Sequence, residues 1–73
     1  MYHLVQFLDM EARPPRIREY EIEGAETAID AVETAKRIAV DNVDDPANIS
    51  HINTLGPYRK SMFSEQKRKG KKP

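Results

Sequence analysis

The sequence predicts an α+β domain of two layers, in which one antiparallel sheet carries a single helix across one face and the elements follow the order ββαββ. Two observations lead to this class. Residues 27–43 repeat apolar side chains every three or four positions, which is the period of a helix packed on one side. Shorter stretches before and after it alternate, or are rich in aromatic and β-branched residues, as strands are. Residues 1–63 are therefore expected to form one domain.

The helix is the best-defined predicted element. Thr27 is its expected N-cap, and Asp30 follows three residues later, in the arrangement of a capping box. Small side chains dominate its apolar stripe and let a helix lie close to its neighbour, so we expect it to pack on a sheet. Pro46 marks a firm stop, because the residue before a proline avoids helical angles. The stripe consists of Ala28, Val32, Ala35, Ala39 and Val43.

Two strands are predicted before the helix, at residues 2–9 and 16–23, with a loop that contains Pro14 and Pro15 between them. The second strand alternates, and one of its faces carries three glutamates in a row. Such a row is typical of a solvated sheet face that resists aggregation, and it is also a candidate patch for a basic partner. The candidate partner-binding residues are Glu19, Glu21 and Glu23.

Two further strands are predicted after the helix, at residues 49–55 and 58–63, separated by the turn signal of Gly56 and Pro57. One helix covers only one face of a sheet. If Leu4, Leu8 and Ile17 lie on the uncovered face, they form an apolar patch that would favour a homodimer or another partner. The core is expected to contain Val5, Phe7, Tyr20, Ile22, Val32, Ala35, Ala39, Ile52 and Tyr58, with some of Leu4, Leu8, Leu55 and Phe63.

Charge is divided unevenly along the chain, although its formal sum is zero. Residues 1–57 carry eleven acidic and five basic side chains, a net charge of −6, whereas residues 58–73 carry one acidic and seven basic side chains, a net charge of +6. No apolar residue occurs in residues 64–73, which are expected to be a disordered basic tail. The candidate nucleic-acid-binding residues are Arg59, Lys60, Lys67, Arg68, Lys69, Lys71 and Lys72.

Three interpretations of the basic tail stay open. Lysine and arginine side chains neutralise phosphates, so the tail is a candidate for contact with nucleic acid. Basic runs at chain ends are also common as solubilising tails. Finally, the tail could fold back on the acidic body of its own chain.

The residues do not indicate an enzyme. The sequence contains no nucleophile with a neighbouring base in a known motif, no glycine-rich phosphate loop and no zinc-ligand spacing. His3 and His51 lie within predicted strands and are interpreted as ordinary sheet side chains. The oxygen-rich stretch after the helix lacks the EF-hand pattern and is interpreted as a polar loop; it contains Asp41, Asp44, Asp45 and Asn48. We predict no catalytic residues, no cofactor and no metal site.

Composition also suggests a compartment. The chain has no cysteine, which suits a reducing environment, and no apolar run approaches the ~20 residues of a membrane-spanning helix. Its first residues lack the basic region and cleavage site of a signal peptide. The sequence therefore predicts a cytoplasmic protein without a membrane partner.

Three runs of residues carry a resemblance to a known family. They are YEIEGA at residues 20–25, residues 28–39 with AKRIA at their end, and HINTLG at residues 51–56. Together they resemble small phage-encoded anti-CRISPR proteins of type I-F. The resemblance implies a single helix against an antiparallel sheet, and basic residues on the body that occupy surfaces facing a guide RNA. Lys36 and Arg37 match the basic helix positions of that family.

Two functional hypotheses follow. The first is a small interaction protein without catalytic activity, encoded by a phage or mobile element, that binds and modulates a host protein or nucleoprotein. The alternative is a nucleic-acid-binding accessory protein that acts through its basic C-terminal tail.

Overall fold

The protein folds as a three-stranded antiparallel sheet with one helix on it, as seen in a computed structural model that describes residues 1–61. The elements are β1 (Tyr2–Asp9), β2 (Arg16–Glu23), α1 (Ala28–Val40), a 3₁₀ turn at Pro46–Asn48, and β3 (Ile49–Tyr58). The strand order is β2-β1-β3, so β1 lies in the middle, and α1 contacts all three strands. The predicted α+β class, with one helix packed on an antiparallel sheet, is confirmed.

The end of the sheet differs from the prediction. Gly56 and Pro57 were expected to separate two strands, but both lie within β3, which runs on to Tyr58. Residues 59–61 belong to no strand, and residues 62–63 of the predicted fourth strand lie outside the described residues, as does the predicted tail at 64–73.

An irregularity in the pairing explains how β3 continues through this dipeptide. Leu4 faces Leu55 while Tyr2 faces Tyr58, so β3 has two residues where β1 has one. Gly56 has a φ of +121°, and a Cβ there would lie 2.8 Å from the carbonyl oxygen of Tyr2. The turn signal therefore marks a bulge beside a closely approaching strand rather than a break.

The helix begins as predicted and ends three residues earlier. The Thr27 hydroxyl accepts a hydrogen bond from the backbone N–H of Asp30 at 3.1 Å, which makes it the N-cap. The helix ends at Val40, well before Pro46. Its fully buried residues are Ala31, Ala35 and Ala39. Because each contributes only a methyl group, the helix backbone can lie close to the sheet, as predicted. The buried face differs from the predicted stripe, since Ala28 is exposed and Ala31 is buried.

The core lies between α1 and the face of the sheet that it covers. Phe7 is 1% exposed and meets the ring of Tyr20 edge to face, with ring centroids 6.1 Å apart. The predicted core position of Ile52 is wrong, since this residue is 46% exposed. The pairing shifts by one residue between Gln6 and Phe7, and Ile52 is the extra residue. The buried cluster consists of Val5, Phe7, Ile22, Ala31, Ala35, Ala39 and Ile49.

The part of the chain that the structure describes contains no helix that could span a membrane. The helix α1 is 13 residues long, and no helix among residues 1–61 is both long and apolar enough to span a bilayer.

Candidate interaction surface

The three glutamates predicted to bind a partner lie together on the sheet face opposite α1, which we call the open face. β2 alternates, so Tyr20 and Ile22 point to the helix side, where they pack with the core. The residues between them point the other way, at intervals of about 7 Å along the strand. Within residues 1–61, β2 pairs with β1 alone and is an edge strand. We call the set Glu19, Glu21 and Glu23 the glutamate row.

Polar side chains of β1 lie opposite the two ends of the glutamate row. Gln6 lies opposite Glu19 and donates from Nε2 to its carboxylate at 2.8 Å. Tyr2 lies opposite Glu23 in the sheet. Hydrogen bonding with the Glu23 carboxylate is the main cause of a raised pKa of Tyr2, with smaller contributions from burial and from the charges of Glu23 and Glu21. Gln6 and Tyr2 are both uncharged, so they leave the negative charges of Glu19 and Glu23 in place.

The middle of the row receives a contact from the other end of the chain. The Ser61 hydroxyl donates a hydrogen bond to the carboxylate of Glu21. Because β3 and β2 lie on opposite sides of β1, residues 59–61 must carry the chain from Tyr58 across the open face to reach Glu21. Leu4 lies in β1 opposite Glu21 and is only 8% exposed, although the helix is on the other side. The start of the C-terminal segment therefore lies over the open face.

An apolar patch adjoins the row. Ile17 is 56% exposed and pairs across the sheet with Leu8, so these two residues share the open face as the sequence analysis anticipated. Leu55 of β3 adds a partly exposed side chain beside Leu4. The patch is smaller than the one envisaged, because Leu4 is covered.

The basic candidates divide into two groups. Arg59 and Lys60 are exposed directly after β3. Lys67, Arg68, Lys69, Lys71 and Lys72 lie outside the described residues. Lys36 and Arg37, the basic helix positions named in the sequence analysis, are exposed on α1.

The oxygen-rich loop after the helix has a structural role that the sequence analysis missed. The carboxylate of Glu11 accepts hydrogen bonds from the backbone N–H groups of Asp44 and Asp45 at 2.9 and 2.8 Å, and from Asn48 Nδ2 at 3.0 Å. The Asn48 amide is the main reason why the pKa of Glu11 is lowered, followed by the two backbone donors. The loop thus turns its donors toward a carboxylate, and no group of three His, Asp or Glu residues among residues 1–61 could hold a metal ion.

The two histidines do not form a common site. His51 lies against the Phe7 ring, with centroids 5.7 Å apart, and its Nε2 is 2.7 Å from the Thr54 hydroxyl. His3 is buried four residues before Phe7 on β1, which separates the two imidazoles by about 13 Å along the strand.

Comparison with known proteins identifies no relative of this chain. No protein-family model matches the chain, and searches of curated proteins and of solved structures find no match. The resemblance to type I-F anti-CRISPR proteins stays a prediction.

Proposed function

We propose that this is a small interaction protein without catalytic activity, whose open face binds a basic surface on a host protein or nucleoprotein. One observation carries the proposal. An edge strand presents three carboxylates, at every second position, on the sheet face that the helix leaves uncovered.

Electrostatics supports a basic partner. Glu19, Glu21 and Glu23 follow one another at about 7 Å, which is within the Debye length of about 8 Å at physiological ionic strength, so their fields add. A surface of one sign speeds encounter with a partner of the opposite sign and rejects partners of like charge. Acidic residues dominate the body as a whole, with eleven acidic side chains, the row included, against five basic side chains over residues 1–57.

The apolar patch supplies the second component of an interface. Ile17 and Leu8 lie opposite each other at one end of the open face, and Ile17 precedes Glu19 by two residues along β2. Interfaces commonly combine an apolar centre with a charged or polar rim. A partner with an apolar side chain flanked by lysine or arginine would match both parts of this surface.

A phage or mobile-element origin belongs to the same proposal. It is supported by the resemblance of residues 20–25, 28–39 and 51–56 to anti-CRISPR proteins, and by the exposure of Lys36 and Arg37 on α1.

The test is a capture experiment with matched charge variants. The row variant replaces Glu19, Glu21 and Glu23 by lysine. The control makes the same replacement by lysine at three acidic residues that are exposed elsewhere, so both variants change the net charge equally. These residues are Glu26, Glu33 and Asp41. We expect the wild type and the control to retain a specific protein from a lysate of the source cell, and the row variant to lose it. When this retained protein is purified, the wild type should bind it directly. Equal capture by all three proteins would contradict the proposal.

Nucleic-acid binding is a second candidate function, favoured by the exposure of Arg59 and Lys60 where the chain leaves the sheet. It predicts that affinity for a nucleic acid falls steeply with salt, because each phosphate contact releases counterions. A gel-shift at low salt should then show binding by the full chain and none by a chain lacking residues 65–73. Identical behaviour of the two chains would exclude this function.

A further inference from the structure

We propose that β2 accepts an extended segment of a partner protein as an added antiparallel strand beside Ile17 and Glu19, with a lysine or arginine of that segment next to Glu19. The inference rests on the proposed function, because it names the form in which a basic partner would bind. It concerns the first half of β2, away from the point where Ser61 meets Glu21.

The direction of each backbone group of β2 follows from its pairing with β1. The backbone N–H of Gly24 donates to the carbonyl oxygen of Met1 at 2.9 Å, and the register of the two strands then continues without a break along β2. Alternate pairs of an antiparallel ladder are hydrogen-bonded. Even-numbered residues of β2 therefore bond to β1, whereas Ile17 and Glu19 direct their N–H and C=O groups to the outer edge.

These outer groups have no backbone partner among residues 1–61. β2 pairs with β1 alone, and no turn or loop donates to, or accepts from, the backbone of Ile17 or Glu19. Both residues are exposed, so a segment from outside can reach them. Such a row of outward donors and acceptors is what strand addition uses.

The other edge of the sheet is less suited to this pairing. Two bulges interrupt the register of β3 with β1, and Pro57 has no N–H to donate. The backbone N–H of Thr54 is already bonded to Oδ1 of the neighbouring Asn53, at 2.9 Å. Bulges and prolines protect edge strands from further pairing, and β2 contains neither.

The side chains at the edge of β2 specify the added segment. A residue directly opposite Glu19 or Ile17 places its side chain on the same face, about 5 Å away. The residue opposite Glu19 should be basic, because this exposed carboxylate is bonded to the uncharged amide of Gln6 and keeps its charge. The residue opposite Ile17, which is 56% exposed, should be apolar. Antiparallel pairing is the more stable per residue, so the basic residue comes two positions before the apolar one.

A second copy of the chain is a poorer occupant of this edge. A two-fold antiparallel pairing of β2 with β2 sets outward-directed residues opposite one another. Within β2 these are Ile17 and glutamates, so Glu19 would face an isoleucine or another carboxylate, and like charges opposite one another destabilise a strand pair. Arg16 and Arg18 bond to β1 and cannot take this place.

Amide hydrogen exchange of the full chain with a synthetic peptide provides the test. The probe is a blocked peptide of six residues, with a lysine two positions before a valine and threonine elsewhere. At about four times its dissociation constant, exchange at Ile17 and Glu19 should slow about fivefold, because only the unbound chain exchanges there. The amides of Arg18 and Tyr20 already bond to β1 and should change little. Unchanged exchange at Ile17 and Glu19 with the peptide at millimolar concentration would overturn the inference.

Two controls separate the backbone ladder from the charge. A peptide with glutamate in place of lysine should bind about tenfold more weakly, since an attractive pair becomes a repulsive one. Glu19→Pro removes an outward N–H, which an edge strand tolerates, and should abolish the slowing at Ile17. Glu19→Gln loses the same charge but keeps the N–H, so it should retain the slowing with weaker binding. Equal binding of the two peptides, or slowing at Ile17 that survives in Glu19→Pro, would overturn the inference.

Failure of this inference and failure of the proposed function give different results. A captured partner that leaves exchange at Ile17 and Glu19 unchanged would overturn the strand addition and support the proposed function. Slowing by the lysine peptide without capture of a specific protein would support the strand addition and contradict the proposed function.

Discussion

Arg18 of β2 donates from Nε to Oδ2 of Asp9 at the end of β1, over 2.7 Å, and the carboxylate that accepts this bond is 2% exposed. The other oxygen of Asp9 accepts from the backbone N–H groups of Glu11 and Ala12, at 2.9 and 3.3 Å. One carboxylate therefore fixes both the turn after β1 and the neighbouring strand. The guanidinium of Arg18 is engaged on the helix side, away from the glutamate row.

This arrangement predicts that the fold loses stability as the pH falls. The bond from Arg18 is the main reason why the pKa of Asp9 is lowered, with the two backbone donors adding to it against the effect of burial. A group with a lowered pKa in the folded state stabilises the fold above its unfolded pKa of about 4, and this contribution is lost as pH falls through the folded value. Asp9→Asn should lower the melting temperature at pH 7 and flatten its fall toward pH 3.

The control is Asp41→Asn at the exposed C-cap of α1, because within residues 1–61 the Asp41 carboxylate accepts no comparable set of hydrogen bonds. Thermal melting followed by circular dichroism at several pH values would compare the three proteins. An Asp9→Asn variant that loses stability in parallel with wild type on acidification would contradict the assignment.

Glu11 should govern the order of the loop that follows the helix. Glu11→Gln keeps the size of the side chain but replaces one acceptor oxygen by an NH₂ group, which would face the donors of Asp44, Asp45 and Asn48. We expect faster amide exchange at Asp44 and Asp45, since these two N–H groups lose a charged acceptor. The melting temperature should fall as well.

Glu26→Gln, at an exposed position before the helix, is the matched control and should leave exchange in the loop unchanged. Unchanged protection of Asp44 and Asp45 in Glu11→Gln would show that the loop is held by other contacts.

The sequence was informative wherever the signal was local. The Thr27 cap and the burial of Ala35 and Ala39 follow from helical spacing, and the glutamate row follows from strand alternation, so these features could be read directly. Contacts between distant residues have no such signal. Glu11 meets Asn48 across 37 residues, and Ser61 meets Glu21 across 40.

Two bulges in the pairing of β3 caused the differences at Ile52 and at Gly56. A bulge shifts the alternation by one residue, which sends Ile52 outward. Gly56 looks like a turn residue because glycine permits positive φ, and the same property lets it sit in a bulge. Period counting over β3 cannot separate the two cases, since the partner strand decides which one occurs.

The close packing of α1 on the sheet should make its alanines intolerant of larger residues. Ala35 is fully buried, so Ala35→Leu must displace the helix or the strands beneath it. Overpacking of this kind costs about 1–3 kcal/mol of the free energy of unfolding. Thr34→Leu, on the exposed side of the same helix, should change it by no more than about 0.5 kcal/mol. Urea denaturation measures both, and equal losses in the two variants would contradict the observed helix orientation.

Gly56 and Gly24 allow backbone strain and steric contact to be separated. Both have positive φ, at +121° and +85°, so replacement of either by alanine forces a side chain into a conformation that costs about 1–3 kcal/mol. At Gly24 a Cβ meets nothing within 4 Å, whereas at Gly56 it would lie 2.8 Å from the carbonyl oxygen of Tyr2. Gly56→Ala must therefore also push β3 away from β1 and should be the more destabilising change. Urea denaturation should rank wild type above Gly24→Ala and Gly24→Ala above Gly56→Ala, and amide exchange near Tyr2 should rise only in Gly56→Ala. A reversed order would mean that β1 and β3 do not approach each other at this bulge.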